Sequence, residues 1–204
     1  MPTRRAIPLP ILKEVRACRV CERELPNEPR PLLAASSSSR LVVIGQAPGR
    51  IAHETGVPWN DASGKRLREW LGVTDEQFYD ESLVALVPMG FCYPGKAKGG
   101  DMAPRPECAP LWHPKVLSKL AKVELTVYIG SYPFNRYLAD EAENLTEGVR
   151  AAKRLLPSRI LLPHPSPRNR LWIARNPWFE PEVLGPLRKR VREILSLSKG
   201  ARAR

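Results

Sequence analysis

Two apolar runs in this chain stop abruptly in glycine, proline and polar residues, and that pattern limits the folds open to it. The first run, 41–44, continues as GQAPG through residues 45–49, and the second, which ends in Leu161 and Leu162, continues as PHPSPRN through residues 163–169. Short apolar runs bounded by turn residues are typical of buried strands in a parallel sheet. Because ligands bind at the carboxyl ends of strands in open α/β sheets, we expect the two loops to meet at one site.

The remaining pattern alternates strands with helices. We predict strands at 41–44, 83–87, 125–129 and 159–162, and helices at 11–20, 64–71, 112–120, 132–142 and 184–197. This order predicts an α/β fold, a three-layer α/β/α domain around a central, mostly parallel four-stranded sheet. Residues 25–40, rich in proline and then in serine, are predicted to be a surface connection. A single domain is expected over 1–198, followed by a disordered basic tail over 199–204.

The chain is strongly basic, with 33 Lys and Arg residues against 21 Asp and Glu residues and a formal net charge of +12. This excess favours a polyanionic partner such as nucleic acid, and a surface that serves solubility alone is the alternative. The chain contains no run of about 18 apolar residues that would span a membrane. The N-terminal basic residues are not followed by the apolar segment of a secretory signal. We therefore expect a cytoplasmic protein.

The cysteines form a spaced set, with Cys18 and Cys21 as a C-x2-C pair and Cys92 and Cys108 separated by fifteen residues. In a cytoplasmic protein this pattern indicates metal ligands more than disulfides. Thiolates suit zinc or an iron–sulfur cluster, and unligated thiols are the remaining alternative. A metal or cluster would pin the N-terminal helix to the loop 88–110, because neither segment has the apolar content to dock unaided.

The motifs resemble those of a known family. GQAPG at 45–49, followed by GVPW at 56–59 and then Gly64, is similar to the first motif of the uracil-DNA glycosylase superfamily, closest to the family 4 pattern. HPSPRN at 164–169 resembles the second motif of single-strand-selective monofunctional uracil glycosylases, and the cysteine spacing resembles the iron–sulfur pattern of family 4. The resemblance covers the chain from about Cys18 to Leu197. It implies a monofunctional base-excision repair glycosylase that acts on DNA containing uracil or a related damaged base, with a structural 4Fe-4S cluster.

The resemblance also implies roles for individual residues. An enzyme that excises a base holds it outside the DNA stack, and Trp59 stands where the family places its stacking phenylalanine. Gln46 is expected to bind the base carbonyls, and His164 to stabilise the negative charge that develops on the departing base. The other implied substrate-binding residues are Gly45, Ala47, Pro48, Gly49, Ser166 and Asn169. Arg168 and Arg170 are expected to contact DNA. The alternatives are a core aromatic for Trp59, a turn residue for Gln46 and a surface charge for Arg168.

Three positions depart from the family pattern. Ala47 stands where the most efficient uracil glycosylases carry an aspartate that positions water, and Pro88 stands where family 4 has a base-reading asparagine. His53 replaces another aspartate, so it is a candidate for positioning water, with Asp61 as a second. A nucleic-acid-binding protein that has lost catalysis is therefore the first alternative. A phosphoester or nucleotide hydrolase is the second, but neither motif supplies the carboxylates that would hold its metal.

Overall fold

A parallel sheet lies at the centre of the computed structural model, which describes residues 9–200 and the side chains of residues 9–196. Its strands are β1 (Leu41–Ile44), β2 (Val84–Leu86), β5 (Leu125–Ile129) and β6 (Arg159–Leu162). Two further short strands, β3 (Lys96–Ala97) and β4 (Gly100–Asp101), form a separate antiparallel hairpin. The four central strands are all parallel and stand in the order β2-β1-β5-β6. All four carboxyl ends therefore open on the same edge of the sheet.

Helices flank this sheet. They are α1 (Ile11–Arg16), α2 (Arg50–Thr55), α3 (Ala62–Leu71), α4 (Asp75–Tyr79), α5 (Cys108–Leu117), α6 (Ser131–Tyr137), α7 (Leu145–Arg150), α8 (Ala152–Leu155), α9 (Arg170–Arg175) and α10 (Gly185–Gly200). Short 3₁₀ turns occupy Glu22–Glu24, Ala139–Glu141 and Pro167–Asn169, and a π-helical turn, Phe179–Leu184, leads into α10. The predicted three-layer α/β/α fold with a four-stranded sheet is confirmed. In the part of the chain that the structure describes, no helix is long and apolar enough to cross a membrane.

The strands are mostly apolar because helices cover both faces of the sheet, and the exceptions, Thr126 of β5 and Arg159 of β6, are only partly buried. Every residue of β1 is at most 2% exposed, and Val127 of the neighbouring strand β5 is fully buried. In register, Val43 pairs with Leu86 on one side and with Val127 on the other. This burial explains why the sequence located β1, β5 and β6 correctly to the residue.

Several helix boundaries differ from the predictions. Helix α1 ends at Arg16, and the predicted helix 132–142 breaks after Tyr137 into a 3₁₀ turn. Helix α5 begins at Cys108, before the predicted start, and contains Pro114. Helix α10 continues to Gly200, and residues 201–204 of the predicted disordered tail lie outside the described residues.

The prediction of a surface connection at 25–40 was wrong in its second half. Leu33 and Ala35 are buried, and Ala34 exchanges both backbone hydrogen bonds with Leu86, at 3.0 and 2.7 Å. The buried Ser39 hydroxyl donates to the carbonyl of Glu81 at 2.6 Å. This segment covers the outer edge of β2, which would otherwise leave backbone groups unpaired.

The two segments that carry the cysteines bury more apolar side chains than the sequence led us to expect. Helix α1 buries Leu12 and Val15 in the core. The loop that follows β2 buries Phe91 and Tyr93. Any metal or cluster bound by the cysteines would therefore add to an interface that apolar contacts already form.

Gly64, in the first turn of α3, has no room for a side chain. A Cβ there would lie 1.7 Å from the carbonyl oxygen of Trp59. We therefore expect Gly64→Ala to lower the free energy of unfolding by about 3 kcal/mol. The matched control is Gly185→Ala, where the nearest atom to a Cβ would be 3.8 Å away. Denaturant unfolding measures both variants, and equal transition midpoints would contradict this packing.

Candidate active site

A cavity of about 400 Å³ opens at the carboxyl ends of the strands. It is lined by the loop 45–49 after β1, by Pro88 after β2 and by the loop 164–169 after β6. The two loops that the sequence singled out therefore lie at one site. The predicted site residues that line the cavity are Gln46, Ala47, Pro48, Gly49, Trp59, His164, Ser166, Arg168 and Asn169.

Trp59 forms one wall of the cavity in an unusual backbone conformation. Its φ of 58° lies in the left-handed region, where residues other than glycine are uncommon. The Trp59 carbonyl accepts a hydrogen bond from Arg68 Nη1 at 3.3 Å, and the Tyr79 hydroxyl lies 3.1 Å from the carbonyl oxygen of Pro58 and 3.4 Å from that of Trp59. The indole covers Gly45, where a Cβ would lie 2.6 Å from the Trp59 ring. These contacts fix an aromatic plane that faces the cavity.

His164 stands beside that plane, with ring centroids 5.8 Å apart and an interplanar angle of 27°. The backbone N–H of Ser166 donates to His164 Nδ1 at 3.2 Å, so Nδ1 carries no proton and Nε2–H is the free donor. Burial lowers the pKa of His164; the negative charge of Asp61 opposes this shift and the positive charge of Arg168 adds to it. His164 is therefore a neutral hydrogen-bond donor around neutral pH.

The second motif is held rigidly from two sides. The Asn169 side-chain amide donates to the carbonyl of His164 at 2.7 Å. Arg66 of α3 reaches the carbonyls of Pro165 and Ser166 at 3.5 and 3.4 Å. Asn169 thus contributes to the shape of the loop as well as to the cavity lining.

The loop after β2 is fastened to the first motif. The backbone N–H groups of Met89 and Gly90 donate to the carbonyls of Gly45 and Gln46 at 2.8 and 2.9 Å. His113 Nε2 lies 2.9 Å from the carbonyl oxygen of Pro88, and His113 Nδ1 lies 2.6 Å from the Tyr137 hydroxyl. A proton on Nε2 satisfies both contacts, since Tyr137 then donates to Nδ1. Pro88 therefore presents a fixed apolar ring to the cavity.

His113 was missed by the sequence reasoning. It is 1% exposed, and burial lowers its pKa. It occurs in no recognisable motif, so only the fold reveals its contact with the cavity wall.

The hairpin β3–β4, which the sequence did not predict, borders the cavity through Asp101. Gln46 Nε2 donates to the carbonyl of Met102 at 3.1 Å, and Arg168 donates to the carbonyl of Gly99. Asp101 of β4 lines the cavity between these two contacts. The hairpin therefore connects the first motif to the second.

A comparison of the sequence with known protein families identifies the family to which this chain belongs. The model of the Uracil DNA glycosylase superfamily matches residues 34–188, well over half of the chain. The chain belongs to the uracil DNA glycosylase superfamily. The matched segment includes all four central strands, both motifs and the hairpin, so it contains every residue that lines the cavity of this superfamily member except Leu32.

Not every predicted residue of this uracil DNA glycosylase superfamily member lies at the cavity. His53 is on α2 with its ring 5.8 Å from that of Tyr93, and it does not line the cavity. Its position does not support the predicted catalytic role. Gly45 lies behind the Trp59 ring, and Arg170 is exposed at the start of α9, next to Asn169.

The four cysteines of this superfamily member, Cys18, Cys21, Cys92 and Cys108, are free thiols around a second, much smaller cavity of about 30 Å³. Burial raises the pKa of Cys92 to about 11 and that of Cys108 to about 12. Arg105 lines the same cavity, and its buried Nε has no hydrogen-bond partner in the described structure.

By their chemistry alone, four cysteine thiols that line one cavity are the donors typical of a zinc or iron–sulfur site. Among the described residues, no group of three or more His, Cys, Asp or Glu side chains is arranged to hold a metal ion.

Proposed function

We propose that this superfamily member is a monofunctional DNA base-excision repair glycosylase. Its substrate would be uracil or a related deaminated or damaged base flipped out of DNA. Its first motif would be of the family 4 type and its second motif of the single-strand-selective type. The observation that supports this most is the placement of Trp59 and His164 on one cavity, with a neutral imidazole whose Nε2–H is free. Superfamily membership supports a glycosylase that acts on damaged bases in DNA.

Recognition begins when the base leaves the stack. An extruded base enters the cavity and stacks on the Trp59 plane, which compensates for part of the stacking lost in DNA. The Gln46 side-chain nitrogen donates one of its two hydrogens to the Met102 carbonyl, so the other remains for a base carbonyl, the role expected from the sequence. The side-chain oxygen of Gln46 would accept a hydrogen bond from a ring N–H of the base. Pro88 supplies a surface for the base edge but no side-chain donor.

Cleavage depends on charge that develops during the reaction. As the bond between C1′ and the base nitrogen breaks, its electron pair moves onto the base and negative charge grows on the base oxygen. His164 Nε2–H donates to that oxygen more strongly in the transition state than in the ground state, and this difference lowers the barrier. Because the imidazole is neutral, it stabilises the negative charge on the base oxygen by hydrogen bonding, and no full positive charge has to be held in the cavity.

The net charge of +12 suits attraction to the phosphate backbone. Arg170 is exposed beside the cavity mouth and Arg168 lies on its rim, so we assign both to DNA contact, with Ser166 at a flanking phosphate. We expect this repair enzyme to act in the cytoplasm.

We also propose that the four cysteines, Cys18, Cys21, Cys92 and Cys108, hold a 4Fe-4S cluster, with zinc as the alternative metal. When bound, the group would supply structural cross-linking rather than reaction chemistry. It would join the segment after α1 to the loop after β2 and to the start of α5. Arg105 would offset the negative charge of the thiolates.

The function is tested on oligonucleotides, single- and double-stranded, that carry uracil, hypoxanthine or xanthine. We expect strand breaks at one or more of these bases only after alkali, because a monofunctional enzyme leaves an intact abasic site. Breaks without alkali would contradict the monofunctional assignment. A His164→Ala protein purified in parallel controls for contaminating glycosylases.

Absence of breaks at every base would overturn the proposed function. It would favour a nucleic-acid-binding protein without catalysis, the alternative that Ala47 and Pro88 support. Binding of the same oligonucleotides, measured in the same samples, identifies that outcome.

A further inference from the structure

The proposed hydrolysis needs a group that orients and deprotonates water, and the first motif does not supply one. Ala47 has no polar side-chain atom, and His53 lies outside the cavity lining. Among the described residues that line the cavity, the carboxylates are Asp61 and Asp101.

Asp61 already has a structural role. One of its carboxylate oxygens accepts the backbone N–H of Gly64 at 2.7 Å and caps the N-terminus of α3. Such a cap typically contributes about 1 kcal/mol to stability. Its orientation is therefore set by the helix.

Asp101 is different. No residue in the described part of the chain donates a hydrogen bond to its carboxylate, so both oxygens are open to solvent or substrate. Asp101 Oδ2 approaches the first motif at Gly49, where an added Cβ would lie 3.3 Å from it. Because residue 49 is a glycine, the Asp101 carboxylate can lie close to the backbone of the first motif.

The hairpin gives Asp101 a fixed position. Met102 N–H donates to the carbonyl of Gly95 at 2.8 Å, and the Met102 carbonyl accepts from Gln46. Arg168 holds Gly99 at the hairpin tip. Asp101 is thus anchored on both sides, by contacts to the first and the second motif.

We propose that Asp101 is the general base of this enzyme, an assignment that rests on the proposed function. Its carboxylate holds one water molecule against C1′ of the extruded nucleotide. The water oxygen bonds to C1′ as the C1′–N bond breaks, and the electron pair of that bond leaves with the base. Asp101 accepts one proton from the water and then releases it to the base anion or to solvent. The products are the free base and an abasic site that carries a hydroxyl group at C1′.

The electrostatics of the hairpin suit this role. Desolvation raises the pKa of Asp101, Arg168 and Lys96 lower it, and the negative charge of Asp61 raises it. His164, the remaining ionisable group named at the cavity, is neutral around neutral pH. A carboxylate with a raised pKa is a stronger base, and it also stabilises positive charge on the sugar in the transition state.

The test compares Asp101→Asn with wild type in single-turnover excision on the best substrate of the panel. We expect the variant to be at least about 100-fold slower, as is typical when a general base is lost. DNA affinity should be unchanged or higher, because the substitution removes a negative charge. Asp140→Asn, the same change at an exposed aspartate on a 3₁₀ turn, is the matched control and should stay within about twofold of wild type.

The pH profile separates catalysis from hairpin structure. In wild type the rate should fall as the pH falls through the raised pKa of Asp101, because the protonated carboxyl cannot accept a proton. Asp101→Asn should lose this acidic limb while it keeps the wild-type melting temperature.

An active wild type with an equally active Asp101→Asn variant would overturn the assignment and leave the proposed function standing. A large loss in Asp61→Asn alone, at unchanged melting temperature, would move the role to Asp61. An inactive wild type would overturn the proposed function and this assignment with it.

Discussion

Replacing His164 with alanine is expected to slow base excision by about 10³-fold, the effect of removing a donor aimed at developing charge. The variant removes the Nε2–H donor, whose orientation comes from the Ser166 N–H bond to Nδ1. Ground-state DNA binding should change by less than about threefold, because the donor acts mainly on the transition state. Single-turnover excision and equilibrium binding, measured on the same oligonucleotide, check both expectations.

Two further variants sharpen this experiment. His53→Ala removes a histidine that does not line the cavity and should retain wild-type rates. His164→Gln keeps an N–H donor at the same loop position and should recover part of the lost rate. Equal losses of excision and binding in His164→Ala would show a structural role and contradict the catalytic one.

Removing one half-buried cysteine, in Cys108→Ser, is expected to lower the melting temperature by roughly 10 °C or more, which corresponds to about 4 kcal/mol for a chain of this size. The proposed metal or cluster would join three separate segments of the chain around one small cavity. Loss of one of its four thiolates should release the group and the cross-link together.

Metal content distinguishes this from simple loss of a buried side chain. Purified wild type should contain iron and acid-labile sulfide and be brown, and Cys108→Ser should have lost most of both. If the purified protein contains zinc and no iron, the site is a zinc site and the cluster assignment is wrong. Wild type that contains neither would contradict the proposed site, whatever the stability of the variant.

The sequence predicted those parts of the fold best in which one local pattern dominates, either an apolar run or the glycine and proline that end it. Strand β1 is buried on both faces and wholly apolar, and β5 is apolar except at Thr126, so the ends of both strands are sharp. The loops after β1 and β6 were also recognisable, because glycine and proline follow the strands directly.

The missed parts have weak or misleading local signals. The strands of the hairpin β3–β4 are two residues each and contain lysine, alanine, glycine and aspartate, so they have no apolar alternation. Asp101 therefore looked like one more loop residue. The serines at 36 and 39 resembled an exposed linker, and their burial depends on the unpaired edge of β2, which a local pattern does not reveal.

The conformation of Trp59 limits which substitutions can alter the base preference of this protein. Its aromatic plane is set during folding by Arg68, Tyr79 and the space left at Gly45 and Gly64, so no reordering of that wall is needed when a base arrives. The left-handed backbone costs on the order of 1 kcal/mol, which the surrounding packing must offset. Substitutions on this wall therefore act on stability first. New base preferences have a freer route through the opposite side, at Pro88 and the hairpin, where side chains can be exchanged without disturbing the aromatic plane.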